Sequence, residues 1–196
     1  MKQEEEKKGW ARWKTVDLTV TAVLSVAFGL IFLAYGLLYV ALVPVLGQVG
    51  IMLFLGFYYI IGVLVPYIVR RPGAALLASL LAAFTELLAG SPFGIAAVWA
   101  GLVQGAGAEA VFAIGRWRNY RWYMLILAAV ASGIFAFGYE YFLFSYGALS
   151  AGAQLGLFFA RIPSAALLGG LLAKGIADAL ARTGVLRSVA IGKARK

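Results

Sequence analysis

Five polar side chains interrupt long apolar runs in this chain, and their types could do chemistry there: Glu86, Gln104, Glu109, Glu140 and Arg161. A charge at mid-bilayer costs roughly 2.5–3.5 kcal/mol on insertion scales, so such groups face a bundle interior and serve a substrate or ion path. The carboxylates of Glu86, Glu109 and Glu140 outnumber the one guanidinium of Arg161. Either burial keeps some of them protonated, or a cation completes the site. Aromatic side chains fall at similar places: Tyr58 and Tyr59, Trp99, and Tyr139 and Tyr141 on either side of Glu140. Ring faces beside carboxylates suit a flat, positively charged heterocycle, through stacking and cation–π attraction.

Such groups need a scaffold, and composition says which. Of the 196 residues 63% are hydrophobic and only 13% charged, which describes an integral membrane protein. The 24 glycines are scattered through apolar runs, where small residues let helices approach closely. There is no cysteine and no histidine. Zinc sites built on HExxH, His- or Cys-ligated haem and thiol chemistry are therefore excluded within the chain. No GxxxxGK[ST] phosphate loop occurs either, so the chain has no ATP-hydrolysing machinery of the usual kind. The formal net charge of +9 does not point to nucleic acid, because the charges sit at the ends of apolar segments.

Gly, Pro and charge runs divide the chain into six apolar spans: 17–43, 50–69, 73–90, 93–115, 121–146 and 152–181. With the N-terminus inside, Lys and Arg collect at the N-terminal segment, at Arg70 and Arg71, at Arg116, Arg118 and Arg121, and in the tail from Arg182. The three outer loops hold none. This asymmetry predicts an all-α bundle of six transmembrane helices with both termini in the cytoplasm. Residues 1–16 then form a cytoplasmic N-terminal segment, 17–181 the membrane domain and 182–196 a basic cytoplasmic tail. Trp10 and Trp13 among basic residues predict an interfacial anchor on anionic lipid. The N-terminal segment is too polar for a signal peptide.

At 1.5 Å per residue, Glu86 and Glu140 lie roughly 6–9 Å below the outer surface, Arg161 about 14 Å, Gln104 about 17 Å and Glu109 about 24 Å. Gln104 and Glu109 are five positions and about 140° apart, so a straight helix cannot turn both to one narrow face. Gln104 shares its face with Ala97, Gly101 and Ala108, and is the expected pocket floor. Glu109 is expected to have a structural or coupling role, reaching a ligand only if Gly101, Gly105 and Gly107 unwind the helix. Ala165, Gly169, Ala173 and Ala177 form a small-residue packing stripe, as do Ala22, Ser25 and Gly29 over a shorter length. Lys174 and Asp178, four apart, are expected to pair.

The run TELLAGSPFG at 85–94, WAGLVQGAGAEAVFAIGRWRNYR at 99–121 and LSVAFGLIFLAYG at 24–36 resemble the YkoE family of substrate-specificity (S) components of energy-coupling factor (ECF) transporters. The resemblance implies a six-helix S component that binds thiamine, or its hydroxymethylpyrimidine precursor, from outside. It implies as partners a transmembrane coupling subunit and two cytoplasmic ATPases. No cofactor, metal or catalytic residue is expected. Candidate substrate-binding residues are Glu86, Trp99, Gln104, Glu140, Tyr58, Tyr59, Tyr139 and Glu109. S components of this fold often carry an AxxxA docking pattern in span one. Here Ala22 is followed by Val26 and Ala27 by Ile31, with Ser25 and Gly29 as the nearest substitute. Three alternatives stay open: an S component for another vitamin or a metal, a small intramembrane enzyme using paired carboxylates, and a purely structural membrane subunit.

Overall fold

The structure, a computed structural model, describes residues 12–193. The sequence-based expectations for residues 1–11, Trp10 among them, and for 194–196 lie outside the described residues. A long first helix, α1 (Thr15–Ile51), is followed by a 3-10 turn (Leu55–Tyr59) that runs directly into α2 (Ile60–Val69). Then come α3 (Ala74–Leu88), α4 (Ala96–Ile114) and α5 (Trp122–Leu143). A last rod comprises α6 (Ala151–Ser164), a π-helical stretch (Ala165–Leu171) and α7 (Leu172–Arg182), and a short α8 (Ala190–Lys193) closes the described chain.

Four of these rods, Thr15–Ile51, Ala96–Ile114, Trp122–Leu143 and Ala151–Arg182, are long and apolar enough to cross a membrane. Leu55–Val69 and Ala74–Leu88 are apolar but shorter. The predicted spans 50–69 and 73–90 are thus trimmed, because residues 52–59 are turn and 3-10 and Gly90 takes φ 99 in the following turn. Span one is corrected in the other direction. The gap expected between the spans 17–43 and 50–69 is helical, with Pro44 inside α1 and the break confined to Gly47 at φ 68.

α2 is the middle of the bundle: all ten of its residues are buried. A helix that is apolar all round belongs at the centre of a core. Around it α1 turns in Thr21, Ser25, Phe28, Gly29, Phe32 and Gly36, spaced three or four apart on one face. Val23, Val26, Leu30, Ile31, Leu37 and Leu38 of the same helix are exposed and apolar, which suits lipid. Ser25 and Gly29 therefore pack inside the bundle. A Cβ on Gly29 would lie 2.5 Å from Thr85 Cβ. The stripe of Ala165, Gly169, Ala173 and Ala177 is likewise buried.

The arginine-bearing turns gather at one end. Asp17 accepts from the Lys14 backbone N–H (3.1 Å) and from Arg71 Nε (2.7 Å), while Trp13 Nε1 donates to Pro72 O at 3.1 Å. These bonds pin the start of α1 to the α2–α3 turn. Lys174 pairs with Asp178 at 2.6 Å, and Tyr67 donates to the same carboxylate at 3.1 Å. Beyond Arg182 the chain buries Leu186, Val189 and Ile191 in the core. The opposite end of the bundle carries the site.

Candidate functional site

α1, the 3-10 turn with α2, α3, α4 and α5 line a cavity of about 100 Å³. Phe32 and Tyr39 enter from α1, Leu55, Tyr58 and Ile61 from the 3-10 turn and α2, and Ser79, Ala83 and Glu86 from α3. Ala97, Ala100, Gly101 and Gln104 line it from α4, and Tyr139, Glu140 and Leu143 from α5. Phe93, in the α3–α4 turn, closes one side. Its ring stands edge-on to Tyr39 (5.8 Å) and Tyr58 (6.4 Å), and Tyr58 meets Phe32 at 5.1 Å. Such tilted pairs hold ring faces in fixed positions.

Small residues open the space. α4 lies so close to α3 that a Cβ on Gly101 would fall 2.6 Å from Ala83 Cβ, and one on Gly105 2.9 Å from Ser79 Cβ. On its other flank Gly107 meets the α5 backbone, where a Cβ would lie 2.7 Å from Ala131 O. The glycines thus serve close packing along an unbroken helix, and the local unwinding considered for α4 does not occur. Ser132 of α5 ties the same level by donating to Gln104 O at 2.8 Å. The Gln104 side chain remains at the cavity wall.

Two carboxylates face this space, and they differ. Glu140 is paired with the fully buried Arg161 of α6, which also donates to Gly133 O at 3.3 Å and lies 5.4 Å from the Phe137 ring. Arg161 stands two residues before Pro163, and the π-helical stretch opens just beyond it. Ser164 there accepts from the Gly56 N–H at 2.8 Å, locking the rod to the 3-10 turn. Glu86 is buried at 3% exposure and has one partner, the Ser91 hydroxyl at 2.9 Å, whose oxygen accepts in turn from Phe93 N–H at 3.2 Å. Among the described residues no cation pairs with Glu86. A carboxylate out of water without a counter-charge is a costly arrangement, which a bound cation relieves.

Of the eight candidates, Glu86, Gln104, Glu140, Tyr58 and Tyr139 come together here. Three do not. Glu109 sits near the far end of α4, where it accepts from Gly73 N–H (2.6 Å), Ala75 N–H (3.0 Å) and Trp117 Nε1 (2.6 Å). Its charge neutralises the positive end of α3. Trp99 is 55% exposed on the outer surface of α4, and Tyr59 is buried behind the cavity with Ala136 and Ala165. Tyr141 is also off the cavity, packed on Phe137. The residues not anticipated are Phe32, Tyr39 and Phe93. Continuing the buried face of α1 by seven residues from Phe32 reaches Tyr39, so that signal was available. Nothing in local pattern marks Phe93, which is aimed by the Glu86–Ser91 chain.

The family model described as "ABC-type cobalt transport system, permease component" matches residues 16–135. A Bacillus subtilis (strain 168) relative bearing the name HMP/thiamine permease protein YkoE is 38% identical over 184 residues, covering 94% of this chain and 92% of the relative. A solved structure described as an S-component of an ECF transporter superposes with a TM-score of 0.91 at 38% identity, covering 93% of this chain and 92% of the other. The chain belongs to the YkoE family of S components. It is a multi-pass cell-membrane protein and the substrate-binding subunit of an ECF importer, not an enzyme. Among the described residues no three His, Cys, Asp or Glu side chains stand together as a metal site.

Proposed function

We propose that this S component captures thiamine, or the hydroxymethylpyrimidine part of it, in the aromatic cavity. The observation that carries this reading is Glu86: a buried carboxylate without a counter-charge among the described residues, facing a space walled by Tyr39, Tyr58 and Phe93. Thiamine supplies a thiazolium cation for the carboxylate and a flat aminopyrimidine for the rings. The Gln104 amide both donates and accepts, as an aminopyrimidine edge requires. The B. subtilis relative, named as an HMP/thiamine permease, supports the same chemistry. A metal cargo fits less well, because Glu140 is already engaged by Arg161 and Glu86 alone makes a poor donor set.

The arginine-rich turns argue for six crossings, with both termini and Arg70, Arg71, Arg116 and Arg118 in the cytoplasm, so the cavity opens outward. The two short apolar helices complete that count where α1 and the last rod are long enough to tilt. A coupling subunit and two ATPases would supply the energy that this chain has no phosphate loop to harvest. Calorimetry on purified protein tests the ligand: saturable thiamine binding is expected, and absence of binding by both thiamine and hydroxymethylpyrimidine would refute it.

A further inference from the structure

A second concavity, about 490 Å³, opens at the opposite end of the bundle between α2 and the α4–α5 turn. Its walls are Arg70, Gly115, Arg118, Asn119, Tyr120, Arg121 and Tyr123, with no acidic side chain among them. Arg70 ends α2 in the left-handed region, φ 53, and its guanidinium lies 5.8 Å from the Tyr67 ring and 5.3 Å from the Tyr120 ring. Ring faces orient a guanidinium without using its N–H groups. Two buried polar atoms of this wall have no hydrogen-bond partner among the described residues: Arg70 Nε and the hydroxyl of Tyr120, a residue only 7% exposed. Buried donors are normally satisfied, so a pair of orphans at one cleft marks a missing acceptor.

The remaining polar groups point the same way. Asn119 Nδ2 donates to Tyr123 Oη at 2.8 Å, which leaves the Tyr123 proton to donate elsewhere. Asn119 Oδ1 accepts from Arg121 N–H at 3.3 Å, so an acceptor of this wall is already engaged. Glu109, the carboxylate behind the wall, is turned to Gly73, Ala75 and Trp117. The cleft thus offers guanidinium and phenol donors to an anion. Trp122, 59% exposed beside Arg121, is the kind of residue that sits at headgroup level.

We propose that this cleft binds a phosphate-bearing anion, gripped by Arg70, Arg118 and Arg121 with Tyr120 and Tyr123 completing the donor set. Several guanidinium forks around a concavity match the oxygens of a phosphate better than those of a single carboxylate. The phosphate could belong to an anionic phospholipid or to a soluble compound, and the experiment separates them. Full-length protein in detergent is titrated with phosphatidylglycerol, with zwitterionic phosphatidylcholine, and with inorganic pyrophosphate, read by thermal shift and native mass spectrometry. Saturable stabilisation by phosphatidylglycerol over phosphatidylcholine is expected, about tenfold weaker in Arg121→Gln and Arg70→Gln. Should Arg70→Gln fail to fold, Arg118→Gln and Arg121→Gln carry the same test. Pyrophosphate that competes with the lipid assigns a soluble ligand; lipid binding that pyrophosphate leaves alone assigns a headgroup. Arg182→Gln, a basic position at the same end but outside the cleft, should change affinity less than about twofold. The proposal is overturned if neither anion outperforms phosphatidylcholine, or if Arg182→Gln weakens binding as much as Arg121→Gln.

Discussion

Glu86 and Glu109 are the same residue in neighbouring helices, yet the bundle treats them oppositely. Glu109 accepts three N–H groups and is fixed to the start of α3; Glu86 has a single hydroxyl and faces a cavity. Glu140 stands between them, exposed to the cavity but matched by Arg161. The role of a carboxylate inside a membrane bundle follows from how many donors the protein itself supplies. A saturated one holds structure, and an under-supplied one is available to a ligand.

The comparison breaks most visibly at its structural pole. Glu109→Ala strips a charged acceptor from three donors and should lower unfolding free energy by at least about 4 kcal/mol, measured as a large fall in Tm in detergent. Thiamine affinity of the folded fraction should stay within about twofold, since Glu109 is off the cavity. A large loss of affinity at unchanged Tm would reverse the roles assigned to the two glutamates. Next, Arg161→Met leaves the half-buried Glu140 without its partner and should cost about 3 kcal/mol of stability. Adding Glu140→Gln to that variant should restore much of the loss; if it does not, the pair is not what makes Arg161 important.

Smaller effects sharpen the outer pole. Gln104→Ala removes one neutral hydrogen-bonding group from the cavity wall and should weaken thiamine about fivefold, read by calorimetry, with little change in Tm. Trp99→Leu should leave both within about twofold, because that ring faces away from the cavity. An effect at Trp99 larger than at Gln104 would move the site to the outer surface of α4.

Much of this was legible in the chain because membrane helices obey a coarse code. Apolar runs and arginine placement located the rods, and the 100° step alone separated Gln104 from Glu109. What escaped depends on partners distant in sequence. The cap of Glu109 lies 34–36 residues away, at Gly73 and Ala75, and Phe93 joins Tyr39 only after four elements have packed. Pro44 and Gly47 read as a loop because both disfavour helices, but the apolar residues around them continue α1 through a local break. Trp99 and Tyr59 were placed by depth, and depth does not say which way a ring points.

The central claim is that Glu86 is the counter-charge to a cationic ligand. Calorimetry on wild type and Glu86→Gln, with thiamine and with neutral hydroxymethylpyrimidine, isolates that charge. The account predicts that Glu86→Gln weakens thiamine by about tenfold or more while hydroxymethylpyrimidine changes by less than about threefold. Equal loss for both ligands, or no loss for thiamine, would contradict it.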